Sequence, residues 1–274
     1  MKKNHFSIIL GCLFFLGLAI FLYPMISDAY NRFHQSRVID GYTETLDHLT
    51  DDSYALEMEK AEEYNRELAA LPDRFHLTEE QLQYYNRLLN MTGSGIMGYV
   101  EIPAIQVRLP VYHGTDDAVL QLGIGHVEGT SLPVGGKGTH AVLSGHRGLP
   151  SAKLLTDLTQ MRTGDSFMIH ILNETLVYET DQILTVLPEE TDALRIEPDQ
   201  DLCTLVTCTP YGVNSHRLLV RGHRIQNDSV LEDIRIRPEA VQVDASLTAL
   251  VIAVLLVLIF LPVLWIRPAP RTRE

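Results

Sequence analysis

Apolar and polar positions divide the chain into three regimes. Residues 6–23 (FSIILGCLFFLGLAIFLY) carry no charge, and a second apolar run covers residues 247–266. Either run could cross a hydrocarbon core of about 30 Å as a helix. Between residues 28 and 71, Leu56, Ala61, Tyr64, Leu68 and Leu71 recur among Glu57, Glu59, Glu62, Glu63 and Glu67. That spacing of mostly three to five predicts helix, ended by Pro72. Thr78 with Gln81 three residues on reads as a capping box opening a second helix over 79–90, which Thr92-Gly93-Ser94-Gly95 breaks. From there the period changes to two. Strands are predicted over 97–102, 107–113, 140–144, 166–172, 176–183, 202–208 and 217–224, with short helices near 116–120 and 151–161. Many short strands with few helices predict a mostly β fold, a closed or nearly closed barrel.

Charge adds an orientation. Lys2 and Lys3 precede the first apolar run; Arg267, Arg271 and Arg273 follow the second. Basic flanks stay in the cytoplasm. The pattern therefore predicts two spans with both termini cytoplasmic and the catalytic region extracellular, with Trp265 as an inner interface anchor. A cleaved signal is the alternative for the first run, since Ser27-Asp28-Ala29 resembles a cleavage site; the run is longer than the usual signal core. The expected divisions are a cytoplasmic end (1–5), an anchor (6–24), a helical extension (25–92), a barrel (93–228), a polar stalk (229–246), a second span (247–266) and a tail (267–274). The net charge of −13 lies in the body, because both ends are basic. Such acidity argues against nucleic acid as a partner.

Three cysteines are present, and Cys12 falls in the first apolar run. Cys203 and Cys208 lie five positions apart in a predicted strand, so they point to opposite faces and a disulfide between them is disfavoured. A free thiol outside the cell is usually kept for reactivity. If residues 209–216 join two antiparallel strands, Cys208 ends one strand and Arg217 begins the next, about 4.8 Å away. A guanidinium there can stabilise a thiolate or the oxyanion formed when sulfur attacks a carbonyl. His146 ends another apolar strand between Gly145 and Gly148 and has the right chemistry for a proton shuttle. Singly, each residue has an ordinary structural reading: a small core cysteine, a solvated arginine, one of eleven histidines. Their joint pattern points to acyl transfer.

Those motifs resemble the class C sortases, the pilin polymerases of Gram-positive bacteria. Thr204-Leu205-Val206-Thr207-Cys208 matches the sortase TLxTC signature. The residues that follow, Thr209-Pro210-Tyr211-Gly212-Val213-Asn214-Ser215-His216-Arg217, are similar to the class C continuation. The run from His140 through Gly145-His146-Arg147-Gly148 to Pro150, the lead-in Gly98-Tyr99-Val100-Glu101-Ile102-Pro103 and Tyr112-His113-Gly114-Thr115 resemble the family too. The resemblance spans about residues 55–225. It implies a closed eight-stranded sortase barrel with a His146–Cys208–Arg217 site. Cys208 would cleave an LPXTG-like sorting signal between Thr and Gly through a thioester. A lysine amine of the next pilin would take the acyl group. His146 would serve as general acid and base, Arg217 as oxyanion or substrate support, and no cofactor or metal is required. The family's lid carries an Asp-Pro-aromatic motif; here the stretch reads Asp73-Arg74-Phe75. Phe75 is expected over Cys208 and Asp73 against an arginine, in a lid loosened by loss of the proline.

Other readings remain open from the sequence. Wall anchoring of surface proteins shares the first half-reaction. A peptidoglycan L,D-transpeptidase carries Ser-x-Gly-Cys at its nucleophile, whereas Thr207 precedes Cys208 here. A non-catalytic adhesin or pilus scaffold would tolerate loss of the thiol. A metal site from His140, His146, His216 and His223 lacks close ligand spacing.

Overall fold

The computed structural model describes residues 2–226 and 252–256. The expected stalk, most of the second apolar run with Trp265, and the tail lie outside the described residues. Among the described residues, one helix is long and apolar enough to cross a membrane.

That helix, α1 (Lys2–Asp47), carries the first apolar run and continues beyond it through Pro24 without a break. The helical stretch expected over 28–71 is two helices. Thr50 caps α2 (Asp51–Ala69) by accepting from the Ser53 N–H, and Asp51 and Asp52 favour the positive helix start. The capping box forms as expected at α3 (Glu79–Tyr85), but this helix ends five residues early.

Eight strands follow: β1 (Ile96–Ile102), β2 (Val107–His113), β3 (Ile124–His126), β4 (Thr139–Ser144), β5 (Ser166–Ile171), β6 (Glu174–Val186), β7 (Asp201–Thr209) and β8 (His216–Ile225). A six-residue helix, α4 (Asp117–Leu122), precedes β3. The strands close in the order β1-β2-β3-β4-β7-β8-β6-β5. Seven coincide with the predicted runs; β3 is additional. The helix expected over 151–161 reduces to a 3-10 turn at Thr156–Gln160. Inward side chains alternate with outward ones. Ala141 and Leu143 of β4, Cys203 and Leu205 of β7, and Leu218 and Val220 of β8 belong to the main core. Val142, Val206 and Leu219 form a separate outer cluster on the same strands.

A buried polar chain fastens the helical extension to the barrel. The Gly114 N–H donates to the Tyr85 hydroxyl at 3.1 Å. That hydroxyl donates to His126 Nδ1 at 2.9 Å, and His126 Nε2–H donates to the Ser131 carbonyl at 2.8 Å. Every hydrogen is used once, with a neutral imidazole. Burial pushes the His126 pKa down to about 4. An unfolded histidine titrates near 6.5. As pH falls below that value, the unfolded chain takes up a proton that the folded chain refuses. The stability from a neutral His126 is therefore complete above pH 6.5 and is lost progressively toward pH 4, by on the order of 3 kcal/mol. Urea midpoints of the detergent-solubilised chain are expected to fall over that window, and His126→Gln should flatten the fall.

Candidate active site

The outward faces of β4, β7, β8 and the end of β6 form a strip along the barrel. Its register is fixed by pairing on both sides of β7. β4 runs parallel to it with Ser144 opposite Val206. β8 runs antiparallel with Leu219 opposite Val206 and Arg217 opposite Cys208. The strip has three zones. At one end, His140 Nδ1–H donates to the Arg195 carbonyl and its Nε2 accepts from the Thr204 hydroxyl, both at 2.7 Å. Burial lowers the His140 pKa, which keeps this arrangement neutral. Arg221 beside it forms a two-pronged pair with Asp181 at 3.0 and 2.9 Å. The middle zone is apolar: Val142, Val206 and Leu219, flanked by Val127, Leu184, Val186, Ala193 and Leu194.

The third zone holds the sequence-predicted trio. Cys208 is a free, half-buried thiol one residue before the end of β7, and Arg217 starts the next strand directly across from it. Arg217 Nη1 donates to the Asn214 and His216 carbonyls, both at 3.2 Å, so the guanidinium is tied to the root of the β7–β8 loop. His146 follows the end of β4. The residues on either side of it are tied to β7: the Thr207 hydroxyl donates to the Gly145 carbonyl at 2.7 Å, and Arg147 donates to the Thr209 hydroxyl at 3.0 Å. His146 is thereby held alongside Cys208. Gly145 packs closely there: a Cβ would come within 2.8 Å of the Leu155 side chain, which would have to shift. Cys208, His146 and Arg217 thus occupy adjacent positions at one end of the barrel, each half-buried. Cys203 faces the core, and burial raises its thiol pKa well above the ordinary value. A hollow of about 720 Å³ lies at the opposite barrel end, lined by Glu62, Asp201 and Arg224 among others.

Residues 73–75 cross the strip between its two walls. Arg74 donates to the Gly129 carbonyl on the β3–β4 loop at 2.8 Å and to the Leu194 carbonyl on the β6–β7 loop at 2.6 Å. Its guanidinium also stands 4.4 Å from the centre of the Phe75 ring. Gly129 has φ +77°, and a Cβ there would sit 2.2 Å from the Arg74 carbonyl oxygen, so only glycine lets the segment lie this close. One expectation changes. Asp73 pairs with His76 at 2.8 Å rather than with an arginine, because the turn brings positions i and i+3 together. Where the motif has proline, Arg74 supplies two charge-assisted bonds. From the sequence, the effect of Arg74 in place of the lid proline stays open, and the His140–Thr204 pairing carries no signal.

A closed eight-stranded barrel with this signature strand defines the class of protein: the chain belongs to the sortase family. The sortase domain family model matches residues 100–225. Within the family, the likeness is to class C. Sortase C1 from Streptococcus agalactiae is 48% identical with a TM-score of 0.68, over 70% of this chain and 100% of that one. Clostridium perfringens sortase C, solved with the C-terminal cell wall sorting motif, is 40% identical with a TM-score of 0.62, over 70% of this chain and 99% of that one. Sortase D of Bacillus subtilis is 27% identical over 131 residues; the match covers 47% of this chain and 63% of that relative's length.

Proposed function

We propose that the chain is a pilin-polymerising cysteine transpeptidase acting on an LPXTG-like sorting signal. The observation that carries this reading is the placement of Cys208 opposite Arg217 with His146 held alongside, at the end of a strip of outward-facing apolar side chains that neighbouring segments cover. The sorting motif named for the Clostridium perfringens relative gives the substrate class.

Once residues 73–75 move aside, an extended sorting signal lies along the strip, its apolar residues against Val142, Val206 and Leu219, which are buried while the segment is closed. Cys208 Sγ attacks the threonine carbonyl carbon, and Arg217 stabilises the oxygen as it gains charge. The C–N bond to glycine breaks while His146 donates a proton to the departing amine. A lysine amine of the next pilin then attacks the thioester, His146 takes its proton, and the thiolate leaves as the isopeptide bond forms. No cofactor enters. The anchor reading places α1 in the cell membrane, a second span over 247–266, both termini inside and the barrel outside. The test is intact-mass spectrometry of the full chain with sorting-signal peptides. An acyl adduct that maps to Cys208 and is released by a lysine-bearing pilin is expected; an adduct elsewhere, or none, sinks the reading.

Residues 73–75 act as a lid in this scheme, with Arg74 as its latch and Asp73 and Phe75 shaping the turn. Removing the Arg74 guanidinium deletes both wall contacts, each bond to a charged donor being worth about 1.5–3 kcal/mol at most. Arg74→Ala is expected to raise the alkylation rate of Cys208 about 10-fold or more, measured with a small maleimide. An unchanged rate would free Arg74 of that role.

A further inference from the structure

α1 fixes how the barrel stands on the membrane. Its apolar run ends at Tyr23, and three residues beyond it grip the barrel. Asp28 accepts from the Lys153 N–H at 2.7 Å, Asn31 donates to the Ser151 carbonyl at 2.7 Å, and Gln35 donates to the Leu122 carbonyl at 3.0 Å. Higher on the same helix, Tyr42 donates to the Met97 carbonyl and accepts from the Leu172 N–H, at the opposite end of the barrel. The helix therefore runs along the barrel from the catalytic end upward.

Asp28 lies five residues past Tyr23, a rise of about 7.5 Å. The interfacial layer outside each hydrocarbon face is about 5–8 Å thick. With α1 upright as an anchor, residues 151–153 would stand at the level of the headgroups. They belong to the loop that leaves His146, whose carbonyl accepts from the Leu155 N–H at 3.1 Å. Gly148 of that loop lies under the Tyr211 ring, where a Cβ would approach to 2.6 Å. Tyr211 and Val213, on the β7–β8 loop, are 60% and 69% exposed. On α1, Ile26, three residues past Tyr23 and so about 4.5 Å beyond the apolar run, is also exposed. Tyrosine, with an apolar ring and a polar tip, is suited to the membrane–water boundary.

We propose that the catalytic end of the barrel rests on the outer face of the bilayer, with Tyr211 and Val213 set into the lipid interface. The occupant of this surface is lipid. The active site then opens at the membrane surface, where a signal emerging from the bilayer meets the thiol without being lifted away from it. This rests on the reading of α1 as a membrane anchor.

The full chain carrying Trp265→Phe is reconstituted in phosphatidylcholine–phosphatidylglycerol vesicles containing brominated lipids. Single tryptophans are placed by Leu16→Trp, Tyr211→Trp, Val213→Trp and Asn173→Trp, the last on the far hairpin. Leu16→Trp should lose most of its emission to deep bromines. Tyr211→Trp and Val213→Trp should be quenched by shallow bromines, and Asn173→Trp should stay bright. If Leu16→Trp is quenched while both loop positions remain as bright as position 173, the anchor stands and the proposal falls. If Leu16→Trp is also unquenched, the anchor itself fails and the proposal with it. Loop tryptophans that change emission only on addition of a sorting-signal protein assign the surface to a protein partner and overturn the lipid assignment.

Discussion

Replacing Cys208 with alanine is expected to lower acyl transfer by at least about 10⁴-fold, since every bond change in the proposed cycle passes through that sulfur. Cys203→Ala provides the contrast. Its sulfur is wholly buried with a raised pKa. It cannot exchange acyl groups with a peptide outside the barrel, so turnover should persist while stability drops by about 1 kcal/mol from the small cavity. Isopeptide formation between purified pilin modules, followed on gels, separates the two variants. Equal losses would mean that the β7 register does not decide which thiol reacts.

Arg217→Ala is expected to lower kcat/KM for a sorting-signal peptide by about 10²–10³-fold, the usual effect of deleting one oxyanion donor. The guanidinium has a fixed place: its strand position faces Cys208, and its Nη1 is tied to the carbonyls of Asn214 in the loop and His216 at the start of β8. Arg217→Lys keeps the charge but not the planar fork, so only part of the activity should return. Alkylation of Cys208 by a small electrophile develops no comparable oxyanion. Its rate should barely move in Arg217→Ala. A large fall in alkylation, with its pH profile shifted upward, would instead assign the arginine to stabilising a thiolate.

Most of the barrel was readable because its strands follow the period of two and end at Gly or Pro. Strand β3 was not: Ile124, Gly125 and His126 are too few to show a period, and the strand exists through parallel pairing with β2. The break between α1 and α2 was also hidden, since Thr50 can sit inside a helix or cap one and the apolar spacing continues across it. At the site, strand parity separated Cys208 from Cys203, and the loop length placed Arg217. Networks that depend on distant partners carried no local signature. His126 meets Tyr85 across 41 positions, and Arg74 meets Leu194 across 120. The lid motif signalled a missing ring constraint at position 74 but not the contacts that the longer side chain would find.

β7 is an interior strand, laddered to β4 on one side and β8 on the other. A one-residue insertion within it would rotate the sulfur into the barrel and bring a core residue out to the surface. The flanking loops are less constrained: away from the Leu194, Arg195 and Asn214 carbonyls that hold Arg74, His140 and Arg217, the 187–200 and 210–215 segments can change without moving the nucleophile. Evolutionary latitude is therefore partitioned within a few ångströms. Substrate preference can drift in the loops while the reacting atom stays fixed, and an engineer seeking a new sorting signal has reason to diversify those two segments and leave the strand between them untouched.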